Sequence, residues 1–384
     1  MLAYEGIHES VSGGYYTNTP ISAARFMMPY WNPHKADGSL ASLNDGSWKG
    51  TGENPLEWTE NNPYFVKKYK VISGLFVELN PFEGFTFKVQ GGADFSHAAA
   101  MSSSTPSYVP NNGQGSAGRN SSDAMNLTLT TTANYKFDLA STHHFNFMVG
   151  HEGIDYQVEG FSVSTAGQTN DFLIDLSSAT RATNWSSTSS SYSYMSFFGR
   201  GEYNYDGKYY ADFSLRTDGS SRFGSKGRWA SFWSLGFMWN MRSESFLKDC
   251  DWLTNAQVAI STGTSGNSSI PTYELAFKFV LGNPDLNCAL SGMQTLDMVK
   301  ANTALACIGP YSKGNENLEW EKLWTTNLAL HFGFWGRVNV DAEFYNKLTT
   351  NMLMSVPDSY ANGGYGSVWD NVGSMVNRGV ELNL

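Results

Sequence analysis

The feature that most constrains this chain is a strict period of two. From Phe85 to Phe95 one set of alternate residues reads Phe85, Phe87, Val89, Gly91, Ala93, Phe95, and the other Thr86, Lys88, Gln90, Gly92, Asp94. From Asn126 to Phe137, Leu127, Leu129, Thr131, Ala133, Tyr135 and Phe137 alternate with Asn126, Thr128, Thr130, Thr132, Asn134 and Lys136. The same pattern sets Tyr209, Ala211, Phe213 and Leu215 against Tyr210, Asp212, Ser214 and Arg216. It recurs at Trp233–Met241, Thr326–Phe332 and Val338–Tyr345. Successive side chains of a strand point to opposite faces, so each stretch specifies a strand with one apolar and one polar face. None of these apolar faces carries a charge.

Two architectures satisfy that pattern. A soluble sandwich buries its apolar faces in a core, whereas a membrane barrel turns them to lipid and its polar faces to a lumen. The connections favour the barrel. Short links at Asn80-Pro81-Phe82-Glu83-Gly84, Leu139-Ala140-Ser141-Thr142, Asp206-Gly207 and Trp335-Gly336-Arg337 are joined by a somewhat longer one from Arg242 to Asp251. They alternate with long links running from about His97 to Ala124, Gly160 to Ser191, Gly263 to Glu321 and Thr349 to Met375. Short turns at one end and long loops at the other are the habit of outer-membrane barrels. Tyr203, Tyr205, Tyr209, Tyr210, Trp239, Trp252, Phe334 and Trp335 gather at the short links, where an interfacial aromatic girdle would lie, although β-propensity also favours such residues.

Composition agrees. Charged residues make up 16% of the 384 and aromatic residues 15%. No apolar run reaches the roughly 18 residues that a membrane-spanning helix needs. The mean hydropathy of -0.34 fits alternation better than continuous apolar segments. A net charge of -10 leaves no basic excess for nucleic acid, so no such partner is expected. Cys288 and Cys307 fall in one long predicted link and could pair in an oxidising compartment. The preferred reading treats them, with Cys250, as separate thiols. Met1–Ser10 has neither the basic nor the long apolar part of a signal peptide.

No catalytic constellation is visible. The chain has no nucleophile elbow and no P-loop. His143, His144 and His151 do not supply the ligand number of a metal site. Neither an enzyme, a metal nor a cofactor is expected. Arg216-Thr-Asp218-Gly219-Ser-Ser-Arg222-Phe-Gly224 is the sharpest local motif. Arg216, Asp218 and Arg222 would be ligand contacts on one reading. On the preferred reading the stretch is a tight strand-to-loop turn, with Gly219 and Gly224 supplying unusual backbone angles and the charges pairing locally.

About eleven candidate strands run from near Phe65 to Leu384. Residues 1–62 read as an external loop region and 63–384 as a partial barrel. The expected fold is thus all-β: an antiparallel transmembrane β-barrel fragment, an open curved sheet with long external loops and short periplasmic turns.

Longer motifs carry a family likeness. SFFGRGEYNYDGKYYADFSLRTDGSSRFGSKGRWASFWSLGFMWN at 196–240 resembles the most recognisable stretch of the SusC/RagA family of TonB-linked outer-membrane proteins. SESFLKDCDWLTNAQVAISTGTSGNSSI at 243–270, GNENLEWEKLWTTNLAL at 314–330 and SVWDNVGSMVNRGVELNL at 367–384 are similar to its later segments, in the same order. NPLEW at 54–58 also fits. Asp218, Gly219, Arg222, Gly224, Trp229, Trp320, Asn371, Gly373 and Gly379 are the motif residues expected to be structural.

The resemblance implies an importer of a bulky nutrient, a glycan oligomer or peptide. A SusD-like surface lipoprotein would close it as a lid, and TonB–ExbB–ExbD would energise it through a plug. It implies a Gram-negative, Bacteroidota-like outer membrane and a lipid-facing surface. Family barrels have about 22 strands. Nothing in residues 1–62 resembles a plug or TonB-contacting segment, so the expectation is an internal or C-terminal piece of the barrel. Lys88, Asp94, Asp212, Arg216, Asp341 and Glu343 are expected to face the lumen, lining the path or holding a plug. Trp185, Tyr311, Tyr360, Tyr365 and Trp369 are the candidate substrate-binding aromatics, with loop packing or lipoprotein contact as the open alternative. A passive porin-like barrel and a secreted β-rich adhesin or glycan-binding protein are the competing functions.

Overall fold

The computed structural model describes residues 2–8, 28, 30–50, 52–247, 249–270, 278–281, 308–312, 314–359 and 367–384. Its strands are β1 (Leu2–His8), β2 (Tyr64–Leu79), β3 (Phe85–Ser104), β4 (Gly115–Leu139), β5 (His143–Gln168) and β6 (Arg181–Tyr205). There follow β7 (Tyr209–Ser220), β8 (Trp229–Asn240), β9 (Leu253–Asn267), β10 (Lys278–Leu281), β11 (Ile308–Ser312) and β12 (Glu321–Phe334). The last are β13 (Val338–Thr350), β14 (Leu353–Pro357), β15 (Ser367–Asn371) and β16 (Ser374–Asn383). One short helix, α1, spans Pro55–Asn61. No helix among the described residues is long and apolar enough to cross a membrane.

Twelve strands form one open sheet in the order β1-β2-β3-β4-β5-β6-β7-β8-β9-β12-β13-β16. The hairpins β10-β11 and β14-β15 stand apart within the links that join β9 to β12 and β13 to β16. The six alternating stretches fall in β3, β4, β7, β8, β12 and β13, and eleven of the twelve sheet strands lie between Tyr64 and Asn383, the expected number. The twelfth, β1, pairs antiparallel with Phe65–Val71, so residues 1–62 hold a strand and a helix as well as loop. Seven residues interrupted by Gly6 are too few for a period of two to be read.

The long links are also shorter than expected. β3 continues to Ser104 and β4 begins at Gly115; β5 continues to Gln168 and β6 begins at Arg181. These extensions are Ser-, Thr-, Asn- and Gly-rich, as in Arg181-Ala-Thr-Asn-Trp-Ser-Ser-Thr-Ser-Ser-Ser191. Where both faces are polar, as in that stretch of β6, there is no alternation to detect, yet the backbone ladder continues.

The chain divides into two compact units. The first comprises residues 1–74, 92–127 and 156–191. Here α1 is capped by the wholly buried Asn54, whose Oδ1 accepts from Leu56 N and whose Nδ2 donates to Pro33 O and Ala41 O. The Glu57 carboxylate accepts from Ser42 Oγ and Leu43 N. Asn44 clasps the segment 107–109 from both sides, donating to Ser107 O and accepting from Val109 N. Tyr108, Trp48, Ala41 and Ala117 are buried.

The second unit comprises 75–91, 128–155 and 192–384. Its register carries one apolar row across seven strands: Tyr203, Ala211, Phe237, Ile260, Leu328, Phe344 and Val380 are consecutive cross-strand partners. The same face stacks rings at the short-link end, from Phe85 through Phe82, Tyr135, Phe137 and Phe145 to Tyr203. Tyr205, Tyr209 and Trp239 stack likewise, as do Trp252 and Phe334. Tyr210 departs from the expected girdle: it alternates with Tyr209 and turns to the polar face. Phe213, Leu215, Leu235 and Phe237 are each about half exposed, so this face covers no core. A continuous exposed apolar face flanked by an aromatic belt is the surface that lipid solvates.

Tight turns at the short links fix this register. Asp206 and Gly207, with φ of 50° and 65°, and Trp335 and Gly336, with 52° and 63°, form the doubly left-handed hairpin turns that match strand twist. Ala140 and Ser141 adopt the same conformation without a glycine, at 55° and 56°. Each such residue costs about 1–2 kcal/mol. Ser141→Gly is therefore expected to stabilise the protein by about 1 kcal/mol, read as a higher urea midpoint for unfolding from lipid vesicles. On the apolar face, Leu215→Arg should cost about 2–4 kcal/mol of folding into bilayers near the midplane. Asp212→Arg should cost less, and a reversed order in vesicle-folding titrations would invert the assignment of the two faces.

Candidate functional site

The polar face of the second unit is a wall of paired charges. Asp212 lies in the row Glu202, Asp212, Gly236, Ser261, Asn327, Tyr345, Gly379, which interleaves with the apolar rows. Near the short turns, Lys136, His144, Arg200, Glu202, Tyr210 and Asp212 line a cleft of about 500 Å³. In it, Arg200 pairs with Glu202 at 2.8 Å and His144 with Asp138 at 2.6 Å. Asn146 Nδ2 donates to Glu202 Oε2 at 2.7 Å. The Oδ1 atoms of Asn134, Asn146 and Asn327 are buried and accept from no donor among the described residues. Such a wall offers charge-assisted contacts to a polar partner.

The expected lumen residues separate by environment. Arg216 is held by its neighbours: Nε donates to Asp218 Oδ1 at 2.6 Å, and Nη2 to Glu152 Oε1 and Ser196 Oγ at 2.9 Å each. Its guanidinium also lies over Phe198. Asp341 pairs with His331 directly across β12-β13, and Glu343 stands opposite Glu381. Lys88 extends over the Phe76 ring. Asp94 belongs to the first unit, half-buried on β3.

The second element of the site is a loop-end cluster built by the three motif segments. Phe223, Ala230, Phe232, Ile270, Leu318 and Trp320 form its buried core, with Tyr194, Leu353 and Trp369 packed against it. Trp320 Nε1 donates to Arg228 O at 3.1 Å. Asn371 closes the cluster: its Oδ1 accepts from Glu319 N, and its Nδ2 donates to Glu319 O and Asn351 O. Asn315 Nδ2 donates to Trp369 O. Arg222 lies over the Tyr192 ring at 3.9 Å and donates from Nη1 to Ile270 O at 3.1 Å. Gly373, φ 80°, turns the chain into β16.

Two glycines act differently from the expectation. Neither Gly219 nor Gly224 has a positive φ. Gly219 lies beneath the Trp229 ring, and a Cβ on Gly224 would sit 2.7 Å from Glu316 O. They permit close approach of another segment, which local turn statistics do not register. Gly379 likewise makes room for the Tyr345 ring.

The candidate aromatics do not converge. Trp185 is exposed on β6 in the first unit. It alternates with Ser186 and Thr188, which line a cleft of about 340 Å³ with Tyr64, Ala100 and Ser162, and so lies on the opposite sheet face. Trp369 packs on the loop-end core. Tyr311 belongs to β11, where only the backbone is described, and Tyr360, Tyr365, Cys288 and Cys307 lie outside the described residues. Cys250 is a half-buried free thiol. Among the described residues no group of three His, Cys, Asp or Glu is placed to hold a metal. Sequence reading missed Glu152, Ser196, Tyr192 and the Asn146–Glu202–Arg200 contacts. Cross-strand adjacency depends on register, and no local signal reveals it.

A wall with one lipid-compatible face, one polar face, tight turns at one end and braced loops at the other is the pattern of a membrane β-barrel wall. The family model "TonB dependent receptor-like, beta-barrel" matches residues 9–384. The chain belongs to that family, in its SusC/RagA branch. It is 27% identical over 379 residues to TonB-dependent receptor SusC of Bacteroides thetaiotaomicron, covering 97% of this chain and 35% of the relative. It is 26% identical over 354 residues to TonB-dependent receptor P26 of Formosa agariphila, covering 88% and 34%. The structure of the RagAB peptide transporter superimposes with a TM-score of 0.79 at 30% identity, over 96% of this chain and 40% of that one. The chain thus spans well under half the length of these relatives.

Removing the keystone of the loop-end cluster should release all three segments together. Trp320→Ala is expected to cost about 3–5 kcal/mol locally. Limited proteolysis should then cut within 221–228, 314–319 and 367–373 at similar rates, whereas cutting confined to 314–319 would contradict a shared core.

Proposed function

We propose that this chain supplies part of the barrel wall of an outer-membrane TonB-dependent importer of a bulky nutrient, a glycan oligomer or a peptide. The observation that carries the reading is the match of nearly the whole chain to SusC in sequence and to RagAB in structure. The apolar-out, polar-in register supports it independently, because it needs no relative. In this reading Lys88, Asp94, Asp212, Arg216, Asp341 and Glu343 border a hydrated interior, where water satisfies charges that lipid would not. The relatives are receptors and transporters, and the chain contributes no catalytic chemistry in this account.

A SusD-like surface lipoprotein serves as the lid, and TonB–ExbB–ExbD supplies the energy through segments beyond this wall. The loop-end cluster suits the first partnership, since a braced platform presents its outer loops in one arrangement. Trp185, Tyr311, Tyr360, Tyr365 and Trp369 remain the aromatic candidates for substrate or lid contact. Trp185 is the most accessible of those described, and Trp369 acts mainly by packing.

The test is uptake by the host from a panel of glycan oligomers and peptides. Deleting the gene should abolish growth on at least one oligomer while sparing growth on its monomer. Disabling TonB should give the same loss. Uptake that survives without TonB would mean a passive pore, and recovery in the soluble secreted fraction would mean an adhesin or binding protein. Trp185 is in phase with the outward residues Met195, Phe197 and Tyr203 of β6, so within a working importer Trp185→Ala should leave the half-saturating substrate concentration unchanged, and a several-fold rise would mean that this ring touches substrate.

A further inference from the structure

The outward face of β9, β12, β13 and β16 carries one row that the rest of that face does not predict. Thr262, Thr326, Asn346 and Arg378 are consecutive cross-strand partners. They form a polar strip on the face that otherwise meets lipid. On the short-turn side it is bordered by Ile260, Leu328, Phe344 and Val380, and on the loop side by Trp324, Leu348 and Val376. The strip is hydrogen-bonded within itself. Thr262 and Thr326 share a hydroxyl contact of 2.9 Å, and Trp324 Nε1 donates to Thr262 Oγ1 at 3.0 Å. Arg378 Nε donates to Asn346 Oδ1 at 2.6 Å, which fixes the guanidinium plane. No carboxylate among the described residues pairs with Arg378, although Glu343 and Glu381 lie nearby on the opposite face.

The height of this cation follows from the register. Asn346, its partner, lies eight residues beyond Val338, the first residue of β13 after the short turn. At about 3.4 Å per residue and a tilt of about 35–45°, that is roughly 19–22 Å above the turn. The apolar band of such a barrel is about 25 Å tall. Arg378 thus sits just inside the boundary on the loop side, and its long side chain reaches the headgroup level by snorkelling. Trp324 and Trp233, edge-to-face neighbours on the same face, mark that boundary.

Resting on the outer-membrane reading above, we infer that Arg378, anchored by Asn346 and continued by Thr326 and Thr262, is a binding site for the phosphate of an anionic outer-leaflet lipid. The phosphate accepts from the guanidinium Nη groups, the Nε being committed to Asn346. The acyl chains lie over the apolar row Ile260, Leu328, Phe344 and Val380. A protein of net charge -10 repels anionic lipid in general, so an outward cation near headgroup height, with Lys322 on the same face two residues beyond Trp324, is the complementary feature of this region. A neutral lipid would leave the guanidinium without a counter-charge.

The test uses the complete, lipid-depleted protein in neutral detergent, probed with diphosphorylated lipid A, its dephosphorylated form and inorganic phosphate, with bound species read by native mass spectrometry. Arg378→Gln should weaken retention of the diphosphorylated lipid about 5-fold. Arg378→Lys should keep most of it, Asn346→Ala should give a smaller loss, and Arg337→Gln in the short turn should leave it unchanged. The dephosphorylated lipid should not distinguish wild type from Arg378→Gln. Equal retention of the diphosphorylated lipid by wild type and Arg378→Gln would overturn the site. So would binding of free phosphate as tight as that of the lipid, or a change confined to a monomer–dimer equilibrium. Insertion into membranes and heat-modifiable gel migration are scored separately. A variant that inserts normally but shows no lipid difference refutes this site alone, and a wild-type protein that never inserts refutes the membrane reading with it.

Discussion

Backbone hydrogen bonding inside a medium that cannot supply it is the constraint on which this structure depends. In the hydrocarbon region an unpaired amide or carbonyl costs several kcal/mol, so a strand can cross only when both of its edges are paired. The antiparallel ladder from β6 through β9 to β12 and β13 meets that demand strand by strand, and β16 is the edge at which the described sheet ends. Its side chains then need only sort by face. The row from Tyr203 to Val380 and the row from Glu202 to Gly379 are one register read from opposite sides.

A sheet organised this way has little conventional core. Its large apolar side chains are exposed to the surrounding medium, and the buried clusters lie instead among the loops. That division shapes the two parts of the site. The polar wall is ordered by ion pairs such as Arg216 with Glu152 and Asp218, which are only partly buried and derive much of their geometry from the strands beneath them. The loop-end cluster has the close packing of a soluble core, with Trp320 at its centre and Gly224 admitting a neighbouring backbone. Loops braced in this way can present a fixed surface to a partner or substrate, which free loops of the same length would do only at an entropic cost.

The fold was legible because period-two alternation is a direct image of the two media. Leu127, Leu129 and Tyr135 against Asn126, Thr128 and Asn134 leave little freedom in how that stretch of β4 lies. The short links were legible for the same kind of reason, since Asp206-Gly207 and Trp335-Gly336 carry the glycine that a doubly left-handed turn favours. Where both faces of a strand are polar, as at Arg181–Ser191, the image fades and strand cannot be told from loop. β1 escaped notice because seven residues broken by a glycine give too short a pattern.

The sequence by itself determined the class of sheet, the face of each regular strand, the turns at one end and the family of the chain, because these depend on residues two apart or on motifs contiguous in the chain. Only the tertiary structure decided which residues meet. Arg216 found Glu152 64 residues away, Trp320 found Arg228 92 residues away, and Arg378 came to lie beside Asn346 at the end of a polar row. Those meetings are set by register. A shift of two positions would keep every side chain on its face and change every partner, and a pattern of period two cannot tell such registers apart.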